Sequence, residues 1–374
     1  MKILLAPDKF KGTLTAARAA RIMADAVRSI HPDAETLEFP LADGGEGTVQ
    51  TLLHALHGEL RQIPVHDPLG RIRNAEFAIA GTTAILEMAE ASGMALLAPS
   101  ELNPLKTSTF GTGELIRAAL DEGAREIIIG IGGSATVDGG AGMAEALGFR
   151  FYTSDGKELK GLNGGNLGAI GSLRSDAADP RLAECRIRIA SDVRNPLLGP
   201  EGAVAVFAPQ KGAGPEMLPV LEKGLANLQA VLRKAGHLKP AEEPGDGAAG
   251  GLGMGLRAFC GARMEPGAEL VIALTGLEAA LDGADLVITG EGCTDSQTDS
   301  GKLCSKVLSL CRKRGVRCGL LSGCILGNAG DAFDFASYKE GKGLIRREQA
   351  GHAQHTPGKC LLKNGNFHCA DADF

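Results

Sequence analysis

Short runs of aliphatic and β-branched residues recur along this chain, and several are closed by glycines mixed with Asp, Ser or Thr just before a helical pattern begins. An apolar run without alternation reads as a strand buried on both faces. Strands that alternate with helices predict a mainly parallel sheet with helices on both sides. Runs at 3–7, 126–132 and 285–289 fit this description, and 186–190, 203–208 and 316–321 read as further strands. Helical spacing marks 13–30, a segment after Thr48, and then 113–122, 142–147, 217–235, 276–281 and 302–314. Thr13 or Thr15 is placed to cap the first of these. From 61 to about 94 the pattern changes to short strands with turns at Asp67-Pro68-Leu69-Gly70 and Ala80-Gly81-Thr82, which marks entry into a second domain. A length of 374 residues exceeds one ordinary core, so two domains are expected.

Composition narrows the partners. A net charge of −6 disfavours nucleic acid and anionic membrane surfaces, both of which reward clustered Lys and Arg. No stretch approaches the ~20 apolar residues of a membrane span. The apolar start at 3–6 is too short for a signal peptide and ends at Pro7-Asp8, so the cytoplasm is expected. The nine cysteines include no C-x-x-C pair, which disfavours zinc and suits reduced thiols used as small apolar fillers. Neither HExxH nor GxSxG occurs, so zinc proteases and α/β-hydrolases are poor candidates.

In parallel sheets, ligands bind beyond the carboxyl ends of the strands. Five polar loops stand at such places or open the helices that follow. Asp8-Lys9-Phe10-Lys11-Gly12-Thr13 joins a carboxylate to two ammonium groups at a helix start, which attracts anions. Asp43-Gly44-Gly45-Glu46-Gly47-Thr48 lets a ligand approach the backbone, and Asp43 and Glu46 offer the oxygen ligands that Mg²⁺ prefers. GIGGSATVDGGAG at 130–142 is too glycine-dense for a plain connection. The amides of Gly132 and Gly133 with Ser134 and Thr136 suit phosphate oxygens, and Asp138 suits a metal or a hydroxyl. No Gly-Lys-[Ser/Thr] follows, so it is not a Walker A loop. Asp192 and Asn195 lie on a turn fixed by Pro196, with Lys211 further on. Glu291, Asp295 and Gln297 gather after the 285–289 strand, and Lys302 opens the next helix, where it could neutralise a transferring phosphoryl group. Each loop alone has a plainer structural explanation as a capped or Asx turn. Together they are what phosphoryl transfer requires, which is positioning and charge stabilisation.

In order, APDKFKGT at 6–13, ADGGEGT at 42–48, GGSATVDGG at 132–140, SDVRNPLLG at 191–199, FAPQKGA at 207–213 and GEGCTDSQT at 290–298 resemble the motifs of the bacterial class I glycerate kinases, from residue 1 to about 325. The resemblance implies an ATP- and Mg²⁺-dependent kinase for D-glycerate, usually giving 2-phosphoglycerate. It implies an α/β architecture of two domains with the active site between them. Residues 1–60 and 265–374 would form a discontinuous Rossmann- or flavodoxin-like parallel-sheet domain, interrupted by an inserted α/β domain at 61–264. The family's loop residues carry over to Asp8, Lys11, Asp43, Glu46, Ser134, Asp138, Asp192, Asn195, Glu291, Asp295 and Gln297. Two positions depart: Cys293 stands where the family commonly has Arg, and Tyr338 to Phe374 lacks the amphipathic helix with which the family ends.

Under this reading Asp8, Asp192 or Asp295 accepts the hydroxyl proton, and Lys11 holds the substrate carboxylate or the γ-phosphate. Asp43 and Glu46 reach Mg²⁺. Lys9, Gly44, Gly45, Gly132, Gly133, Ser134, Thr136, Asp138, Asn195, Lys211, Glu291, Gln297 and Lys302 bind ATP or substrate. The alternatives are formation of 3-phosphoglycerate, a kinase for another small hydroxy acid, and a non-catalytic binder of a small phosphorylated acid. Oligomeric state stays open, with a homo-oligomer among the options.

Overall fold

The computed structural model describes residues 1–239, 241–294, 303–324, 335–338, 345–346, 359–363 and 366–370. The chain begins β1 (Lys2–Pro7), α1 (Ala16–Ile30), β2 (Glu35–Glu38), α2 (Thr48–Ala55), β3 (Glu59–His66), β4 (Ile72–Ala80), β5 (Thr83–Glu87), α3 (Ala89–Ser92), α4 (Phe110–Asp121), β6 (Glu126–Gly130) and α5 (Ala141–Ala146). It continues β7 (Arg150–Tyr152), β8 (Glu158–Leu159), β9 (Ser172–Arg174), β10 (Arg186–Ala190), α6 (Ala203–Phe207), α7 (Leu218–Lys234), α8 (Ala248–Cys260), β11 (Arg263–Glu265), α9 (Gly267–Thr275) and α10 (Leu277–Ala280). Then come β12 (Leu286–Glu291), α11 (Leu303–Arg314), β13 (Arg317–Ser322), β14 (Phe335–Tyr338), β15 (Ile345–Arg346), β16 (Lys359–Lys363) and β17 (Asn366–Ala370). The chain is α/β throughout and divides into two compact units.

The first unit comprises Met1–Asp43, Gln50–Leu56 and Ala268–Phe374. Its sheet has the order β15-β14-β13-β12-β1-β2. All its pairs are parallel except β14 with β15. The two central strands run from Ile3 opposite Leu286 to Pro7 opposite Gly290. Leu4, Leu5, Ala6 and all of β12 are buried, as strands covered on both faces require. Helix α1 lays Ala19, Met23, Ala24 and Val27 against Ile3, Leu5 and Ile288. It starts at Ala16, later than the expected 13, because Phe10 to Leu14 is folded into a turn through Phe10 O. Thr15 is the cap, its side chain accepting from Arg18 N–H at 3.2 Å. From β1 the chain crosses through α1 to β2, whereas from β12 it crosses through α11 to β13 on the other side. The strand order therefore reverses between β1 and β12, and such a reversal opens a crevice at the carboxyl ends of the two strands.

The second unit comprises Gly44–Val49 and His57–Gly267. Its sheet has the order β11-β10-β6-β5-β4-β3. Strands β5, β6, β10 and β11 are parallel, and β3 and β4 form an antiparallel margin. Ile127, Ile128 and Ile129 of β6 are fully buried, and α7 turns Leu221, Leu225, Leu228 and Leu232 inward. A small antiparallel sheet, β8-β7-β9, stands beside it.

One expected element is wrong. The run at 203–208 is the short helix α6, with Val206 N–H donating to Gly202 O and Ala208 N–H to Val204 O. A five-residue apolar run fits a strand or a buried helical turn equally well by pattern. Here Ala203 and Val204 are buried and Val206 is exposed, an arrangement that one helical turn supplies. Three helices went unforeseen, α3, α8 and α9. At the start of α8, Ala249, Gly250 and Gly251 are all left-handed, which hides the helix from any periodic reading.

Candidate active site

In the first unit the loop after β1 is tied to the end of β12, Asp8 N–H donating to Gly290 O at 2.8 Å. Asp8 Oδ1 accepts from Lys9 N–H at 2.7 Å, and Lys9 Nζ stands 3.8 Å from Asp43 Oδ1. Burial, helped by the Asp43 and Glu291 carboxylates and opposed by Lys9, pushes the Asp8 carboxyl up to about 7. A carboxyl poised near neutrality beside the sheet's reversal point is suited to taking a proton from a hydroxyl. Glu291 closes β12, buried, and its Oε1 accepts from Thr294 Oγ1 at 2.9 Å. The following glycine lies flat on the first loop: a Cβ on Gly292 would stand 3.2 Å from Lys11 N. Thus Asp8, Lys9, Asp43 and Glu291 gather at one place, with Lys11 exposed beside them. Asp295, Gln297 and Lys302 lie outside the described residues.

In the second unit the segment from Gly44 lies across the carboxyl ends of β6 and β10. A Cβ on Gly44 would meet Ala190 O at 2.3 Å, one on Gly130 would meet Gly44 O at 2.5 Å, and one on Gly132 would meet Gly45 Cα at 2.9 Å. Only glycine permits that approach, and Gly44 also has φ +89°. Gly45 thereby lies beside Gly132, while Gly132, Gly133 and Glu46 face solvent. Asp192 is exposed just beyond β10. Asn195 holds its own turn, its Nδ2 donating to Glu201 O at 2.9 Å.

The Gly-rich turn after β6 rests on buried polar groups. Asp138 is fully buried, and its Oδ2 accepts from Thr109 N–H at 2.8 Å, Thr109 Oγ1 at 2.7 Å and Gly142 N–H at 3.3 Å, while Oδ1 accepts from Gly140 N–H at 3.2 Å. Burial raises its pKa, and the Thr109, Gly140 and Gly142 donors pull it back. Lys211 is 1% exposed, and its Nζ donates to Ser134 Oγ and to Thr136 O, the latter at 2.8 Å. Burial pushes this ammonium down to about 7, against the attraction of Asp138. Thr136 Oγ1 is buried without a hydrogen-bond partner among the described residues.

Three supporting residues escaped the sequence reading. Glu87, the last residue of β5, accepts from Gly47 N–H at 3.0 Å and Val49 N–H at 2.8 Å through one oxygen. Thr107 Oγ1 donates to Ala135 O at 2.9 Å, and Thr109 is the main partner of Asp138. A signal for Glu87 existed: like Asp8 and Asp192, it is a carboxylate closing or following an apolar strand.

No three acidic, Cys or His side chains form a ready-made metal cage among the described residues. Mg²⁺ is usually held by one or two carboxylates and by phosphate oxygens of the substrate, so a cage is not needed. Asp43 and Glu46 keep exposed carboxylates on one loop, the oxygen donors that a hard cation takes. No helix among the described residues is long and apolar enough to cross a membrane.

A sequence profile described as the glycerate kinase family matches residues 3–346. The glycerate 2-kinase of Escherichia coli K12 is 45% identical over 315 residues, covering 84% of this chain and 82% of that protein. The glycerate kinase of Bacillus subtilis 168 is 47% identical over 304 residues, covering 81% and 79%. A crystal structure from Salmonella typhimurium LT2, described as a candidate glycerate kinase 2, superposes with a TM-score of 0.83 at 44% identity, covering 91% of each chain.

Proposed function

This chain belongs to the glycerate kinase family, and from that premise we propose that it transfers the γ-phosphoryl group of ATP to the 2-hydroxyl of D-glycerate, giving 2-phosphoglycerate. The observation that carries the reading is Asp8, a carboxyl held up to about 7 where β1 and β12 diverge. Near neutral pH such a group exists partly as carboxylate and still binds a proton well, the balance a general base needs. Lys9 and Lys11, next to it in the loop, provide the positive charge to hold a substrate carboxylate or a phosphoryl oxygen. Gly132 and Gly133, both exposed, form the phosphate cradle with Ser134. Asp192, Asp295, Asn195, Gln297 and Lys302 remain supporting candidates from the motif resemblance.

Asp43 and Glu46 are the proposed Mg²⁺ ligands, both exposed carboxylates on the same loop. A bound Mg²⁺ would offset charge on the phosphate oxygens. Preference for the 2-hydroxyl rests on the name of the Escherichia coli relative. The test is an ADP-release assay with the full chain, Mg²⁺, ATP and either D-glycerate or lactate. Turnover with glycerate and none with lactate supports the proposal. Absence of turnover with both, alongside a ligand-induced thermal shift, supports a non-catalytic binder instead.

A further inference from the structure

The Gly-rich turn at 130–142 has no Lys or Arg in its own sequence, yet a cation lies directly beneath it. Lys211 Nζ donates to Ser134 Oγ and to Thr136 O, and Lys211 itself is 1% exposed. It therefore cannot touch a ligand without leaving its place. Its position has a chemical consequence for Ser134. A hydroxyl has one proton and two lone pairs. With an ammonium N–H occupying the lone-pair side, the Ser134 hydroxyl is left to act as a donor. Ser134 is 5% exposed, and its Oγ has Lys211 as hydrogen-bond partner with no acceptor for its own proton among the described residues. A second hydroxyl, Thr136 Oγ1, is buried without a hydrogen-bond partner among the described residues. Ser134, with a proton to give beside the exposed Gly132 and Gly133, calls for an acceptor-only ligand.

We propose that Lys211 is a positioning residue that makes Ser134 an obligate hydrogen-bond donor to a phosphate oxygen, and that the turn binds the triphosphate of ATP through this relay with no surface cation of its own. The inference rests on the kinase reading above but addresses ATP binding alone. Asp138 is the charged group that acts on Lys211; it is fully buried and engaged by Thr109, Gly140 and Gly142. Lys211 also titrates close to neutrality, so the relay weakens as pH rises.

The test is calorimetric titration of the full chain with ATP for the wild type, Ser134→Ala, Lys211→Met and the double variant. Ser134→Ala is expected to weaken ATP binding about tenfold, the scale of one hydrogen bond to a charged group. Lys211→Met should weaken it at least as much. The double variant should be no worse than Lys211→Met, because Ser134 loses its imposed direction once the ammonium is gone. The ratio of wild-type to Lys211→Met affinity should shrink from about pH 6 to about pH 9, a change that cancels the ligand's own titration. If Lys211→Met fails to fold, the ratio of wild-type to Ser134→Ala affinity over the same pH range decides. A pH-independent ratio, or Ser134→Ala binding within about twofold of wild type, overturns the proposal. Glycerate turnover without this coupling would leave the kinase reading intact and remove the relay. Coupling without glycerate turnover would do the reverse.

Discussion

Asp8 and Lys211 are both displaced to about 7, and burial is the main cause in each. Their effects on stability run in opposite directions. The Asp8 carboxyl, raised from 3.8, keeps its proton in the folded chain where the unfolded chain has lost it. Its contribution to stability therefore falls as pH climbs from about 4 through about 7. Lys211, lowered from 10.5, is the reverse: the unfolded chain binds more protons from about 7 to about 10, so its contribution rises with pH over that window. Replacing Asp8 by Asn removes the first effect. We expect Asp8→Asn to unfold at a higher temperature than wild type at about pH 8, with the gap closing toward about pH 4, as followed by thermal melts. The same variant should lose roughly 10² to 10⁴ in kcat, the usual contribution of a general base. An Asp8→Asn protein with near-normal kcat would transfer the base role to Asp192 or Asp295.

Among the elements, the turn after β6 depends most on a single side chain. Asp138 satisfies Thr109, Gly140 and Gly142 at once. Asp138→Ala strands these buried donors, each costing about 1–3 kcal/mol, so we expect the denaturant midpoint to fall by the equivalent of at least about 3 kcal/mol. Gly44→Ala should also fold poorly and lose ATP binding in the same titrations, because its Cβ would stand 2.3 Å from Ala190 O in a left-handed backbone. Much of this layout was legible in the residues. Apolar runs marked β1, β6 and β12, mixed runs marked β10 and β13, and clustered glycines marked the loops. Other parts were not. The 203–207 run is too short for its period to separate strand from helix. The left-handed Ala249, Gly250 and Gly251 begin α8 without any ordinary helix start. Thr107 and Thr109 act through folded contacts with Ala135 and Asp138, which no local pattern encodes.

At the scale of the whole molecule, each unit places its polar loops at the carboxyl ends of its parallel strands. The first unit gathers Asp8, Lys9, Asp43 and Glu291, and the second gathers Gly44, Gly132, Ser134 and the groups beneath them. One collects carboxylates and lysines, the other amides and hydroxyls, and a phosphoryl transfer uses both kinds of group. The most direct measurement is phosphorus NMR of the full chain incubated with ATP, Mg²⁺ and D-glycerate. The proposed reaction predicts that the γ-phosphate signal is replaced by a phosphomonoester coupled to the proton on carbon 2 of glycerate. ADP and inorganic phosphate with no phosphomonoester, or no change in ATP at all, would contradict it.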